Sequence, residues 1–254
     1  MKGFFLLAFN DSAANIIMTN ALENEIKGHN IRFRKSIRAN EQYDNIIGYQ
    51  LIKDQENKRE TNLGHLIAGD IYGFFGSTNH NLLSYNKAIE LLNNSNIAHE
   101  FVAFEGNVSL CSIRNEKIIF QNDLEGYRKI FYYYDKNILC VSTYLSLILK
   151  AINKRWNLRR NAVISFICSR ESKWPLTFVE EIFTLPPLSR AQVTREGIQI
   201  SSKTFANYYA LVETSKNELK EQLYNQYRLI IQRKRGENTA VTLSGGYDSN
   251  CLTK

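Results

Sequence analysis

The sequence has 254 residues, of which 44% are hydrophobic and 22% are charged, and its formal net charge is +7. These proportions are ordinary for a soluble globular protein and exclude a disordered or collagen-like chain. The basic residues lie in separate clusters at 32–38, 154–160 and 233–235. They do not form a continuous stripe with interleaved aromatics, which argues against nucleic acid as a partner.

The first predicted element is the apolar run Phe4–Phe9, which stops at Asn10 and Asp11. The run is shorter than the hydrophobic region of a signal peptide, so we interpret it as a buried first strand. No apolar run approaches the ~20 residues that a membrane helix needs. We therefore expect a soluble protein without a membrane partner.

Up to about residue 205, short apolar or aromatic segments alternate with Asn, Asp and Gly, the pattern of strands joined by turns. The predicted strands include Phe4–Phe9, His65–Ile67, Val108–Ile113, Lys117–Phe120, Ile130–Tyr134 and Ile138–Ser142, with a hairpin turn near Asn137. The predicted helices are Tyr85–Asn93, Thr143–Asn153 and Asn161–Cys168. Residues 1–205 are therefore predicted to form an α+β domain, a mostly antiparallel sheet system with helices outside.

The four cysteines are far apart and form no CxxC pair. They are Cys111, Cys140, Cys168 and Cys251. This spacing argues against a zinc site or a disulfide framework and favours the reducing cytoplasm.

After a predicted linker at 206–214 the pattern changes to the start of an α/β unit, residues 215–254. Ser215 and Glu218 form a capping box that opens a helix. The apolar residues that recur on one face of this helix are Leu219, Leu223 and Tyr227. The β-rich segment 239–243 then predicts a strand that leads into a glycine turn.

That turn, Ser-Gly-Gly-Tyr-Asp-Ser at 244–249, carries the strongest functional signal in the sequence. Consecutive glycines let the backbone turn sharply and bring its N–H groups close to an anion. A following helix would add the positive end of its dipole. Ser244 and Ser249 add hydroxyl donors, and Asp248 can hold Mg²⁺. The segment is not a GxxxxGK[ST] loop, because no lysine follows the glycines.

This motif resembles the pyrophosphate loop (PP-loop) of the ATP pyrophosphatase superfamily, whose members cleave ATP between its α- and β-phosphates. The resemblance implies an α/β adenine-nucleotide α-hydrolase-like domain that uses ATP and Mg²⁺, with Asp248 as the candidate magnesium ligand. The residues that would hold the pyrophosphate end of ATP are Ser244, Gly245, Gly246, Asp248 and Ser249.

Five upstream segments resemble the asparagine synthetase family, in the same order along the chain. Segment 176–188 looks like TLFEGIRRLPPG, with Leu188 in place of the last glycine. Segment 122–133 resembles RDxLGxxPLYY, with one extra residue and without the proline. The remaining segments are 68–73, which is similar to NGEIYN, 105–110, which is similar to LGxFA followed by Phe or Leu, and 140–143, which is similar to FASE.

In that family the first domain is a class II glutaminase with an Ntn-hydrolase-like αββα sandwich, and its nucleophile is a cysteine directly after the initiator methionine. Here that position is Lys2, and the sequence has no cysteine before Cys111. The family's oxyanion-hole asparagine aligns with Ala68, although Gly69 remains, and its glutamine-binding aspartate aligns with Tyr85. The resemblance therefore implies a degenerate domain that does not hydrolyse glutamine.

The combined pattern predicts the amino-terminal part of an ATP-dependent carbon–nitrogen ligase that adenylates a small-molecule or peptide carboxylate. The nitrogen would come from ammonia, as in asparagine synthetase, or from an amine on the substrate, as in lasso-peptide cyclases and β-lactam synthetase. A partner protein of a biosynthetic pathway is a further expectation. The alternative is a non-catalytic scaffold derived from the same family. Since a nucleotide domain needs further strands, we expect the complete protein to continue beyond Lys254.

Overall fold

The computed structural model describes residues 3–28, 32–52, 64–74, 83, 85–94, 104–114, 117–170, 175–194, 196–202 and 215–234. Its strands are β1 (Gly3–Phe9), β2 (Arg32–Arg38), β3 (Asn45–Ile52), β4 (His65–Phe74), β5 (Phe104–Arg114), β6 (Lys117–Asn122), β7 (Phe131–Asp135), β8 (Ile138–Ser142), β9 (Ile182–Thr184), β10 (Ser189–Thr194) and β11 (Gly197–Ser202). Its helices are α1 (Thr19–Gly28), α2 (Tyr85–Asn94), α3 (Leu145–Ala151), α4 (Arg160–Ser169) and α5 (Lys216–Lys234), with a short 3₁₀ helix at Asp11–Ile16. Within these ranges, no helix is both long enough and apolar enough to cross a membrane.

The described strands form two antiparallel sheets. One sheet has six strands in the order β2-β3-β1-β8-β7-β9, and the other has five in the order β11-β10-β6-β5-β4. β1 lies inside the six-stranded sheet, where Phe5 pairs with Tyr49 of β3 on one side and with Ser142 of β8 on the other. The α+β class with antiparallel sheets is therefore confirmed.

Strand β1 is apolar throughout because both of its faces are covered. Phe4, Leu6 and Ala8 point into a core between the two sheets. Phe5 and Leu7, on the alternate positions, point into a second core beneath α1 and α3. Residues of a strand that is buried on both faces have no solvent side, which explains the unbroken apolar run.

A helix also covers the outer face of the five-stranded sheet. Ala88, Ile89 and Leu92 of α2 pack against Ile67 of β4 and Val108 of β5. The described layers are thus helix, sheet, sheet, helix, with the largest apolar cores between them.

The three predicted helices are present as α2, α3 and α4, and α3 is shorter than predicted. The sequence pattern predicted a helix over Thr143–Asn153, whereas α3 ends at Ala151 because Ile152 is extended and forms a bridge with Ile17. The predicted hairpin turn near Asn137 joins β7 to β8, and Asp135 caps it by accepting hydrogen bonds from the Asn137 and Ile138 N–H groups at 2.8 and 3.1 Å.

The chain divides into two compact units, Met1–Thr204 and Phe205–Lys254. In the second unit the predicted capping box is present. The Glu218 N–H donates to the Ser215 hydroxyl at 3.3 Å, and the Ser215 N–H donates to the Glu218 carboxylate at 3.2 Å. Of this unit the structure describes α5 and the residue before it, so the predicted linker at 206–214 and the strand at 239–243 lie outside the described residues.

Candidate functional site

The candidate site is the corner where β1 begins and β4 passes the opposite sheet, and we call it the Gly69 corner. It is formed by Gly3, Gln50, Ile67, Gly69 and Arg128. The resemblance places a nucleophile just before β1 and an oxyanion hole at residues 68 and 69 of β4. The structure brings these two strands together across the space between the sheets.

Gln50 connects the strands at this corner through its side-chain amide. Its nitrogen donates to the carbonyl oxygens of Gly3 at 3.0 Å and Ile67 at 2.8 Å, and its oxygen accepts from the Ile67 N–H at 2.9 Å. The side chain is fully buried. A buried amide is tolerated because its donors and acceptor all have partners. Gln50 therefore hydrogen-bonds the Ile67 backbone of β4 as a neighbouring strand would.

Gly69 is held in a conformation that requires glycine. Its φ is +101°, and a β-carbon built there would lie 1.6 Å from the carbonyl oxygen of Asn107. The preceding residue, Ala68, is fully buried in the core between the sheets. A methyl group there can donate no hydrogen bond, so the family's amide donor is missing from this corner.

Arg128 lies against Gly69. Its Cγ is 3.4 Å from where a Gly69 β-carbon would be, and its carbonyl oxygen accepts a hydrogen bond from the Ser109 hydroxyl. The Arg128 Nε is buried and has no hydrogen-bond partner among the described residues. The corner thus carries a guanidinium group, which can hold an anion but is not a nucleophile.

The loop after β6 is organised by Asp123, whose carboxylate accepts hydrogen bonds from three backbone N–H groups. They belong to Val108, Glu125 and Tyr127, at 2.8, 3.1 and 3.1 Å. Burial raises the pKa of the Asp123 carboxyl above its ordinary value, and the hydrogen bonds from the backbone act in the opposite direction. All of these partners are backbone groups, so Asp123 shapes the loop.

The same loop is joined to the segment that resembles the family's interdomain sequence. The Leu188 N–H donates to the Asp123 carbonyl oxygen at 2.8 Å. The Asn122 side chain donates to the Leu185 carbonyl oxygen at 2.8 Å. Two segments that resemble the family separately are therefore neighbours in space.

Two of the three described cysteines are buried and one is exposed. Cys111 and Cys140 are fully buried, and burial raises the pKa of both thiols far above the ordinary value. Cys168 is exposed on α4 and Cys251 lies outside the described residues. None of the described cysteines belongs to the Gly69 corner, near which the resemblance places the nucleophile.

Several predicted site residues lie outside the described residues. They are Lys2 and the predicted ATP-binding set Ser244, Gly245, Gly246, Asp248 and Ser249. Tyr85 is the first residue of α2, but its side chain is not described. Sequence reasoning missed Gln50 and Arg128. A sequence signal existed for Gln50, because it is a lone amide within the apolar segment 46–52.

Among the described residues, seven have positive φ, and five of them align with glycines of the family segments; Arg170 and Gly197 are the other two. Gly69, Gly106 and Gly126 have φ of 101°, 132° and 60°, and each aligns with a glycine in a family segment. Glu181 and Leu188 have φ of 66° and 50° and align with the two glycines of TLFEGIRRLPPG. L-residues rarely adopt this conformation, so these non-glycine residues occupy positions whose backbone favours glycine.

A solved structure of glutamine phosphoribosylpyrophosphate amidotransferase from B. subtilis, complexed with ADP and GMP, is similar to this chain with a TM-score of 0.46 and 9% sequence identity. The alignment covers 80% of this chain and 49% of that chain, so it spans about half the length of that enzyme. No protein-family model matches the sequence. No curated protein matches it either.

Proposed function

We propose that this chain is the amino-terminal part of an asparagine-synthetase-like, ATP-dependent amide-forming ligase whose Ntn-hydrolase-like first domain has no glutaminase activity. The observation that carries the proposal is the backbone at the five family glycine positions, all of which have positive φ. Two of them are Glu181 and Leu188, L-residues held in a conformation that favours glycine. This agreement supports the resemblance to the family.

The first domain acts as a scaffold in this proposal. Its nucleophile position is Lys2, and its side-chain donor position is the buried methyl group of Ala68. Loss of the thiolate removes covalent catalysis, and loss of an oxyanion-hole donor costs a further ~3 kcal/mol of transition-state stabilisation. Gln50 ties β1, β3 and β4 together at the corner where the resemblance would place the active site.

The second domain would carry the chemistry. ATP would supply the adenylate group that activates a carboxylate, and the glycine turn at 244–249 would hold its pyrophosphate end, with Mg²⁺ at Asp248. Without a glutaminase, the nitrogen has to come from free ammonia or from an amine on the substrate. The second source favours ring closure within a peptide or small molecule over asparagine synthesis.

The test is release of pyrophosphate by the complete protein with ATP and Mg²⁺, across candidate carboxylates and peptides. We expect release that depends on the carboxylate and is lost in Asp248→Ala. Glu196→Ala, which truncates an exposed acidic side chain before β11, is the matched control and should keep wild-type activity. Substrate-dependent release that survives Asp248→Ala would contradict the role of Asp248.

The second candidate function is a non-catalytic scaffold. The Gln50 hydrogen bonds that join β1, β3 and β4 at the Gly69 corner favour it. If no carboxylate causes pyrophosphate release, this candidate replaces the ligase. A parallel assay for glutamate formed from glutamine separates both candidates from an active amidotransferase, since neither of them predicts any glutamate.

A further inference from the structure

Five large apolar side chains on and beside α4 are exposed, and we call the surface that they form the α4 face. They are Leu158, Ile164, Phe166, Ile167 and Phe178. Ile167 is 74% exposed and Leu158 is 71% exposed. Ala162 is the buried residue of α4, so most of the helix's apolar surface makes no contribution to the core. Clustered exposed apolar residues of this kind mark interaction sites.

The α4 face is built on hydrogen-bonded backbone. The Arg159 N–H, directly before α4, donates to the Phe178 carbonyl oxygen at 2.7 Å, and Leu158 forms a β-bridge with Val179. The Phe166 and Phe178 rings meet edge to face with centroids 5.2 Å apart. A surface that is already ordered loses little conformational entropy when a partner binds.

The charges around the α4 face decide which partner suits it. Arg160 begins α4 and Arg170 caps its end, both are exposed, and α4 itself has no acidic residue. Two copies of this face would bring two arginines each against the exposed carboxylate of Glu180, which follows Phe178 and Val179, and the whole chain has a net charge of +7. A second copy is therefore a poor occupant, whereas acidic side chains would pair with both arginines.

An anionic membrane would match the same charges but fits the helix less well. Helices that lie in a membrane interface carry Lys and Arg along their polar face. The polar residues within α4 after Arg160 are instead Asn161, Ser165, Cys168 and Ser169. Aromatic residues beside arginines are, by contrast, the composition of protein interfaces.

We propose that the α4 face binds a short segment of another protein in which apolar side chains are flanked by acidic ones. The apolar side chains would cover Ile164 and Ile167 beside the Phe166–Phe178 pair, and the acidic ones would reach Arg160 and Arg170. This interaction is separate from the ligase reaction and would exist with either candidate function.

The test is selection of random short peptides, displayed on phage, against the wild-type chain. The enriched peptides are then synthesised, and their affinity is measured for wild type, Ile167→Glu and Arg160→Glu. We expect enrichment of Asp and Glu next to aromatic or aliphatic residues, and at least about ten-fold weaker binding to both variants. Ile200→Glu, which changes an exposed isoleucine on β11, is the matched control and should bind as wild type does.

Circular dichroism of each variant checks that its helices are retained. Enriched peptides without acidic residues, equal affinity for wild type and Ile167→Glu, or no enrichment at all would each overturn the proposal. Two further results would overturn the proposal. One is binding of wild type to phosphatidylserine vesicles that Ile167→Glu abolishes, and the other is self-association of wild type that Ile167→Glu abolishes.

Discussion

At Glu181 the chain holds an L-residue in the left-handed conformation, with φ of 66°. A β-carbon in that conformation costs about 1–2 kcal/mol because it approaches a neighbouring carbonyl oxygen, and glycine avoids this contact. Glycine also loses more conformational entropy on folding, so part of the gain is offset. We expect Glu181→Gly to be more stable than Glu181→Ala by about 1 kcal/mol in urea-induced unfolding of the chain.

Glu181→Ala is the right comparison because both variants remove the same ion pair with Lys154. That pair is partly exposed and contributes little to stability. Glu181→Ala should therefore remain close to wild type. Equal free energies of unfolding for the alanine and glycine variants would contradict strain at this position.

Among the elements, Gln50 links the two sheets at the Gly69 corner through three buried hydrogen bonds. In Gln50→Leu, the carbonyl oxygens of Gly3 and Ile67 and the Ile67 N–H would lose a buried partner. An unsatisfied buried group costs about 1–3 kcal/mol, so we expect a loss of about 2–4 kcal/mol from the free energy of unfolding. Gln199→Leu, at an exposed position of β11, is the control and should change stability by less than about 0.5 kcal/mol.

The loop held by Asp123 should make stability depend on pH. Burial raises the pKa of this carboxyl, so the folded chain binds the proton more tightly than the unfolded chain does. This contribution is fully present below the unfolded pKa and is lost as the pH rises through the folded pKa. Asp123→Asn has no such titration. The free energy of unfolding of wild type should therefore fall relative to that of Asp123→Asn as the pH rises through the acidic range. Parallel pH profiles from urea unfolding would contradict the raised pKa.

For the whole molecule, local sequence patterns predicted the positions of strands, helices and turns better than they predicted how these elements are arranged in space. The run Phe4–Phe9 indicated a buried strand, and the residues around Asn137 indicated a turn, because both signals lie within a few residues. The strand order of the six-stranded sheet depends on pairing between distant segments, which periodicity does not encode. The left-handed conformations of Glu181 and Leu188 were hidden because neither residue is glycine.

In the candidate site, only the residues that lie in a segment resembling the family could be predicted from the sequence. Gly69 was identified because a glycine stands beside Ala68, where the family has Asn-Gly. Gln50 and Arg128 were not identified, since their contacts are with backbone or with a neighbouring glycine, and a sequence does not reveal such partners. The same limit applies to the α4 face, whose residues look like an ordinary apolar helix until their exposure is known.

The burial of two cysteines in different cores gives a test of the whole molecule. Cys111 lies in the core between the sheets and Cys140 lies beneath α1 and α3, and burial raises the pKa of both thiols. In a Cys251→Ser chain treated with iodoacetamide, Cys168 should react at the rate of a free thiol, since it is exposed. Cys111 and Cys140 should react together and much more slowly, because both become accessible when the chain unfolds. Mass spectrometry of the tryptic peptides measures the three rates. Fast modification of Cys111 with Cys140 still protected would mean that the two sheets open without global unfolding, and would contradict this expectation.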